Sequence, residues 1–334
     1  MAKQDFFTKF KKNRRGYYSF LIFIFLFLFT FFAEFFANEK PLLISFKGDL
    51  HFPIFKTYSE KYFGGEFGTE ADFRDPKVQE LIKKDGWIIF SPIAFSANTI
   101  NYEIKTPAPS KPSGQNLLGT DDNGRDVLAR MIYGVRISLV FGIILTFFSV
   151  IIGIFLGAVQ GYFGGLLDLT LQRFMEIWSS MPVLFLLIIL SSIIEPSFTA
   201  LLCMMLLFSW MSLVSYVRAE FLRLRNFDFV RAAKALGASD SRIIFRHILP
   251  NASPIIVANI PFLLSGSIVT LTSLDFLGLG MPIGSPSLGE LLAQGKNNLT
   301  AYWLGLSSFI IITVILTLLV FVGEALRDAF DSRK

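Results

Sequence analysis

The chain has one cysteine, Cys203, set inside an apolar run. That excludes an intrachain disulfide and a cysteine-based metal cluster, and it reads the thiol as a small buried hydrophobe. The only two histidines, His51 and His247, are far apart, so a histidine-based zinc site is excluded as well. No Ser/His/Asp set surrounds a strained nucleophile turn. The nearest thing to a phosphate-binding loop is GELLAQGKN at 289–297. It has five residues between its glycines where the motif needs four, and Asn297 stands where Ser or Thr should hold magnesium. The chain carries 31 Lys and Arg against 26 Asp and Glu, but no groove-reading motif goes with that basic balance, which excludes nucleic acid as a partner. The chain is therefore expected to have no catalytic residues, no bound cofactor and no metal.

Apolar residues are abundant. They make up 53% of the 334 residues, 38 of them Phe, and mean hydropathy is +0.55. A soluble core of this length needs less, so the excess is assigned to lipid. Crossing the hydrocarbon takes about 20 mainly apolar residues. Six stretches meet or nearly meet that length, at 17–36, 137–159, 174–194, 198–217, 255–277 and 303–322. The first follows Lys11, Lys12, Arg14 and Arg15; it is too long for a secretory signal core and has Phe35 where cleavage after Ala37 needs a small residue. It is read as an uncleaved anchor. Basic residues gather in 1–16, in the loop at 218–254 (Arg218, Arg223, Arg225, Arg231, Lys234, Arg242 and Arg246) and in the tail (Arg327, Arg333 and Lys334). The positive-inside rule puts all three in the cytoplasm. Arg125, Arg130 and Arg136, on the outer side of the second span, run against it. Glu176, Glu195, Asp275 and Glu324 are placed near span ends, close to water.

The segment 38–133 is too polar to cross. LLISFKGDLHFPIF alternates around Lys47-Gly48-Asp49, the pattern of a β-hairpin, and GWIIFSPIAF and INYEIK are expected to add short strands. TPAPSKPSGQ reads as a linker. In LLGTDDNGRDVLARMIYG, Gly119 and Gly124 bracket an acidic turn and Asp126 is placed to start a helix. The spacing lacks the alternating oxygen ligands and distal Glu of a calcium loop.

The loop at 229–250, FVRAAKALGASDSRIIFRHILP, is built for docking. Asp228 is placed to cap a helix running to about Leu236, on which Ala232, Ala233 and Ala235 keep the exposed side small enough to enter a cleft. Gly237 can take positive φ and end it. Ser239 or Asp240 starts a second helix with Ile243, Ile244, His247 and Ile248 on one face and Arg242 and Arg246 on another, closed by Pro250 and Pro254. An amphipathic hairpin lying on lipid headgroups reads the same pattern more blandly.

The order Ala232-Ala233-Lys234-Ala235-Leu236-Gly237, then Ile248-Leu249-Pro250, resembles the coupling-loop signature of ABC importer permeases. Leu118-Gly119-Thr120-Asp121, Gly124-Arg125-Asp126, Tyr133-Gly134-Val135-Arg136-Ile137-Ser138 and Phe276-Leu277-Gly278-Leu279-Gly280 resemble the dipeptide and oligopeptide branch of that family. The resemblance spans essentially the whole chain. It implies an all-α membrane protein with six transmembrane helices in the type I importer permease fold, a core at 137–330 and a small extracytoplasmic β-containing insert after the first helix. It further implies multi-pass residence in a bacterial inner membrane. The implied partners are a second homologous permease, an ABC ATPase carrying ATP and magnesium, and a periplasmic peptide-binding protein. The implied cargo is peptides, including peptide-nucleotide antibiotics such as microcin C. The coupling residues carried over are Arg231, Ala232, Ala233, Leu236, Gly237, Ala238, Ile248, Leu249 and Pro250. The family often has Glu where this chain has Arg231, which turns the expected basis of docking from charge to shape. An ion-coupled secondary transporter is the rival; it would need an intramembrane charge or a helix broken at mid-depth, and the apolar runs show neither. A membrane sensor using the outer segment is a third class, for which six spans are more than an anchor needs.

Overall fold

Backbone that crosses lipid must close its own hydrogen bonds, and this chain does so as helices. The computed structural model describes residues 2–104 and 106–330, with side chains from residue 6 onward. The side chain of Lys3, and Lys105, Arg333 and Lys334, lie outside the described residues. In chain order, α1 (Ala2–Lys12), α2 (Arg14–Phe31) and α3 (Ala33–Phe36) lead into strands β1 (Leu43–Phe46) and β2 (Asp49–His51). Next come α4 (Pro76–Asp85), β3 (Gly86–Ile89), α5 (Val127–Phe163), α6 (Gly165–Ser179) and α7 (Val183–Ser191). They are followed by α8 (Phe198–Ser209), α9 (Met211–Leu224), α10 (Asp228–Ala235), α11 (Asp240–Arg242), α12 (Leu249–Phe276), α13 (Leu288–Asn297) and α14 (Tyr302–Phe330). Among the described residues, five helices are long and apolar enough to cross a membrane: Arg14–Phe31, Val127–Phe163, Phe198–Leu224, Asp240–Phe276 and Tyr302–Phe330. The pair α6 and α7, bent by 65°, makes a sixth span if counted as one.

That bent pair corrects the reading of 174–194 as one straight span. Gly164 and Gly165, at φ +64° and +60°, turn the chain straight out of α5, so α6 begins nine residues earlier than hydropathy placed it. It stops at Ser179 because Pro182 has no N–H to donate and pushes the preceding residue out of helical geometry. Glu176 thus lies well inside the broken span, away from its ends. Cys203 is exposed on α8, which corrects its assignment as a buried hydrophobe. On a lipid-crossing helix an outward thiol is as apolar as its neighbours.

Two compact units divide the chain. The first comprises Met1–Phe25, Ser138–Pro282 and Ile311–Lys334. In it α5 presents Gly153, Gly157 and Gly161 at a spacing of four, and α9 packs directly on them. A Cβ at Gly157 would meet Val217 Cβ at 2.7 Å, and one at Gly161 would meet Phe221 Cβ at 2.5 Å. Small residues let two helix backbones approach this closely where no hydrophobic effect drives them together. Beside the seam, Arg218 of α9 donates from Nε and Nη2 to the Asp168 carboxylate of α6, at 2.5 and 2.7 Å. Near the chain ends, Phe10 is buried with Ala325 and Ala329.

The second unit comprises Leu26–Ile137 and Ile283–Ile310. Its sheet has the order β2-β1-β3, all antiparallel. The hairpin turns at Lys47 and Gly48, at φ +51° and +89°, the pair of positive values that matches strand twist in a two-residue turn. Ile44, Phe46, Phe63, Phe73, Val78 and Ile82 form its core. INYEIK adds no strand: Ile100 makes only an isolated bridge to Arg125. GELLAQGKN is part of α13, capped by the Ser287 hydroxyl, which accepts from Glu290 N–H; helical backbone there forms no phosphate cradle.

The acidic turn is an electrostatic knot. Asp126 caps α5 by accepting from Ala129 N–H at 2.8 Å. Burial pushes its carboxyl above the ordinary carboxylate range, against the pull of that N–H and the Asn116 amide. Asp121 accepts from Arg125 Nε at 2.7 Å and lies 3.3 Å from Arg130 Nε. Glu290 takes Arg130 Nη2 at 2.7 Å and Arg125 Nη2 at 3.3 Å. The same guanidinium groups donate to the carbonyls of Gly284 and Ser285, fixing that turn. Arg136 pairs with Glu34 at 2.7 Å. The three arginines that ran against the charge rule are each matched by a carboxylate, and Arg130 is fully buried. Replacing Asp121 with Ala leaves Arg125 and Arg130 to share Glu290 alone, one carboxylate short, at a cost of about 3–5 kcal/mol. Hydrogen exchange should then rise at 121–130 and 283–290 with the β1–β3 sheet unchanged; unaltered exchange in both segments would refute the knot.

Candidate functional site

The loop between α9 and α12 folds as two arms around one left-handed residue. Phe227, extended at φ −76° and ψ 151°, occupies the cap position of α10 with no side-chain cap. Asp228 is the first helical residue, which corrects its assignment as the cap; its fully exposed carboxylate still lies at the positive end of the helix dipole. The far end closes as a Schellman motif. Gly237 at φ +77° donates its N–H to Lys234 O at 3.0 Å, and Ala238 N–H reaches Ala233 O at 3.1 Å. Gly237 has open space around it, so backbone conformation alone demands glycine there.

Residues 240–276 form one helical run, so Pro250 and Pro254 do not close the second arm as the sequence reading expected. The turn Ile243–Ile248 is π-helical and leads directly into α12. Pro250 is the second residue of α12, directly after that π turn. Pro254 would orphan the carbonyl of Pro250, and the Ser253 hydroxyl donates to that oxygen at 2.8 Å. The second arm is therefore an extension of a helix long and apolar enough to cross a membrane.

Both arms are nailed to the bundle by one core. Val230 and Ala233 from the first arm, and Ile243, Ile244 and Ile248 from the second, pack with Tyr162 of α5 and Val217, Phe221 and Leu224 of α9. Burying each of the larger side chains contributes roughly 1.5–3 kcal/mol. Tyr162 touches both arms: its hydroxyl donates to Asp240 Oδ1, and the Lys234 ammonium lies 5.0 Å over its ring. Arg225 Nη1 donates to Gly161 O and Tyr162 O at 3.4 and 3.3 Å, placing a cation on the carbonyl end of α5. A side chain at Gly164 would collide with that guanidinium.

The residues carried over from the family signature fall into two groups. Arg231, Ala232, Leu236, Gly237 and Pro250 face outward, Leu236 at 88% exposure. Ala233 and Ile248 are buried, and Ala238 and Leu249 pack at the edge of the same core. Ala233 therefore does not lie on the exposed face where the sequence reading put it. His247 is half-buried and makes no metal site; among the described residues no group of His, Cys, Asp and Glu could hold a metal. Sequence reasoning missed Tyr162, Gly161, Phe221 and Arg225. The four-residue spacing Gly153, Gly157, Gly161 was the signal that could have found the seam.

Several known proteins are similar to this chain. The family described as binding-protein-dependent transport system inner membrane component matches residues 149–334, and the N-terminal TM domain of oligopeptide transport permease C matches residues 3–51. The inner membrane ABC transporter permease protein YejE of Escherichia coli (strain K12) is 55% identical over 100% of this chain and 98% of its own length. The peptidoglycan transport system permease protein YejE of Agrobacterium fabrum is 53% identical over 97% of this chain and 91% of its own. The oligopeptide transport system permease protein OppC of Lactococcus lactis subsp. lactis is 32% identical over 74% and 85%. A chain of the inward-facing MetNI methionine ABC transporter shares the fold, with TM-score 0.52 at 18% identity over 60% of this chain and 97% of that one.

The two groups of loop residues separate packed positions from open ones. Ala233→Leu overfills the joint and costs about 1–3 kcal/mol, so its thermal midpoint in detergent should fall. Ala232→Leu, on the open face, should leave that midpoint where it was. Equal midpoints for the two variants would contradict the packed joint.

Proposed function

Because this chain belongs to the family of binding-protein-dependent transport system inner membrane components, and is a multi-pass, non-enzymatic permease subunit of an ABC importer, we propose that its loop at 229–250 docks into a cleft of a separate ATPase subunit. The carrying observation is the unbroken helical run 240–276, rooted in the joint of Val230, Ala233, Ile243 and Ile248. A load applied to such a loop moves α12 as a lever instead of being absorbed by a hinge. ATP and magnesium bind on the partner, and closing of the ATPase pair draws this loop and that of a second, homologous permease together. The spans tilt with them, and the route opens alternately to each side. Both chain ends and the loop lie in the cytoplasm on this reading, following the unpaired basic residues Lys11, Lys12, Arg14, Arg15, Arg242 and Arg246.

The open face of α10 favours shape over charge. Ala232 and Gly237 let the partner approach closely, and Leu236 offers apolar area to a pocket. Arg231, 71% exposed and 4.0 Å from Asp228, takes the place of the family's common acid. The cargo we propose is peptides and peptide-like compounds, delivered by an extracytoplasmic binding protein. The printed names of the relatives support this: oligopeptide, dipeptide and peptidoglycan transport. Peptide-nucleotide conjugates of the microcin C kind fall within the same class.

The test is uptake and copurification with the full set of subunits. Gly237→Val forces a β-branched residue to positive φ, and it should cut ATP-driven peptide uptake by at least about tenfold. The variant should still insert, and should retain less of the ATPase than the parent chain. Normal uptake, or ATPase retention equal to the parent, would sink the docking assignment.

A further inference from the structure

A charged side chain exposed on a lipid-crossing helix needs an explanation. At mid-bilayer a lipid-facing charge costs at least about 2.5–3.5 kcal/mol, and such residues almost always face water or another protein surface. The broken span of α6 and α7 carries two. Arg173 lies eight residues past the start of α6, about 12 Å along it, and Glu176 about 17 Å along, both before the break that joins α6 to α7. Their side chains are 76% and 56% exposed, and they are held to each other by one contact, Arg173 Nη1 to Glu176 Oε2 at 2.5 Å. Exposed Thr170 and Ser180 extend the same face by a turn on either side.

Gln172 and Asp168, one and two turns before Glu176 along α6, show what satisfied polar groups look like in this bundle. Asp168 is buried against Arg218, and Gln172 donates to Gln160 Oε1 at 2.9 Å. Those contacts close inside the chain, whereas the Arg173 face has no cover from it. The face also leads directly to the 65° break, where irregular backbone at membrane depth is tolerated when it lines a cavity. Ser179 and Ser180 turn their hydroxyls back onto the carbonyls of Glu176 and Ile177, which keeps that backbone satisfied beside water.

We infer that Arg173 and Glu176 form a recognition station in the translocation route for zwitterionic, peptide-like cargo. Arg173 takes a carboxylate and Glu176 an ammonium group. With no cargo the two neutralise each other; cargo bearing both charges replaces that pair by two pairs and leaves no net charge in the route. An i,i+3 pair is suited to the exchange, because neither partner has another ion pair to give up. The inference rests on the peptide-importer reading above.

The test uses the assembled importer in vesicles with its binding protein and ATPase. In a Cys203→Ser background, Arg173→Cys and Glu176→Cys should each react with a charged, membrane-impermeant thiol reagent. A short peptide with free termini should slow the reaction by at least about fivefold, while the same peptide acetylated and amidated should not. The exchange variant R173E/E176R, which keeps the pair but reverses its order, should reduce peptide uptake by at least about tenfold with assembly intact. Cysteines that stay unreactive in the assembled complex, or an exchange variant that transports like the parent, would overturn the station and make the pair a subunit contact. Absence of ATP-driven peptide uptake by the parent importer would instead overturn the importer reading itself.

Discussion

On the docking proposal, a load on the loop is carried into the bundle by one packed joint, where Val230, Ala233, Ile243, Ile244 and Ile248 meet Tyr162, Val217 and Phe221. The joint exists because the α5 glycines remove side chains where α9 must approach. A Cβ at Gly161 would lie 2.5 Å from Phe221 Cβ, so any other residue would push α9 away and open the pocket that receives the loop. The loop could keep its own helices and its Schellman turn without that seam, yet have nothing to pull on. Gly161 also frees its carbonyl for Arg225, so one position serves both the helix seam and the charge that ends α5.

Charge is handled by matching it locally. Arg218 with Asp168, Arg136 with Glu34, and the group of Arg125, Arg130, Asp121 and Glu290 are all closed within the chain. Such pairs contribute little net stability against desolvation, but removing one partner is severe, so they fix geometry more than they add energy. The distinction also bears on the orientation proposed from the charge rule. Basic residues bias topology while they are free to meet lipid headgroups and the membrane potential. Arg125 and Arg130, buried with their carboxylates, no longer count toward it, whereas Lys11, Lys12, Arg242 and Arg246 remain exposed.

What was legible in the sequence is what depends on local pattern. The hairpin at Lys47-Gly48 follows from alternation plus a residue able to take positive φ, and Gly237 follows from a small-residue helix that must stop. The expectations that failed depend on what surrounds a residue. Pro250 and Pro254 look like terminators, but a π turn and the Ser253 hydroxyl absorb them, and neither is visible in a hydropathy profile. Asp228 fits a cap by type, yet Phe227 occupies the cap position. Ala233 and Ala232 are equivalent in composition and opposite in burial, a difference set by which face meets Tyr162. The third span was misplaced because Asp168, Gln172, Arg173 and Glu176, spread along α6, lower its hydropathy below that of a lipid-facing helix.

That misplacement bears on the rival reading. An ion-coupled transporter was set aside because the spans showed neither an intramembrane charge nor a broken helix, and the structure has a bent helix pair, α6 and α7, that carries Arg173 and Glu176. The features do not revive the rival, because they answer a different need. A broken helix with exposed polar side chains makes a route wet, and every transporter needs a wet route whatever drives it. A transporter working alone must also couple its ion to the conformational change within one chain. The carboxylates of this span are Asp168, committed to Arg218, and Glu176, neutralised three residues away by Arg173. Neither is an isolated group positioned to carry a proton. What the chain does have is a long helical run, 240–276, preceded by an outward-facing Leu236 and a left-handed Gly237, the shape on which the docking proposal rests. Under the two proposals the polar route and the external handle are complementary: the handle would supply motion, and the broken span the surface along which charged cargo passes.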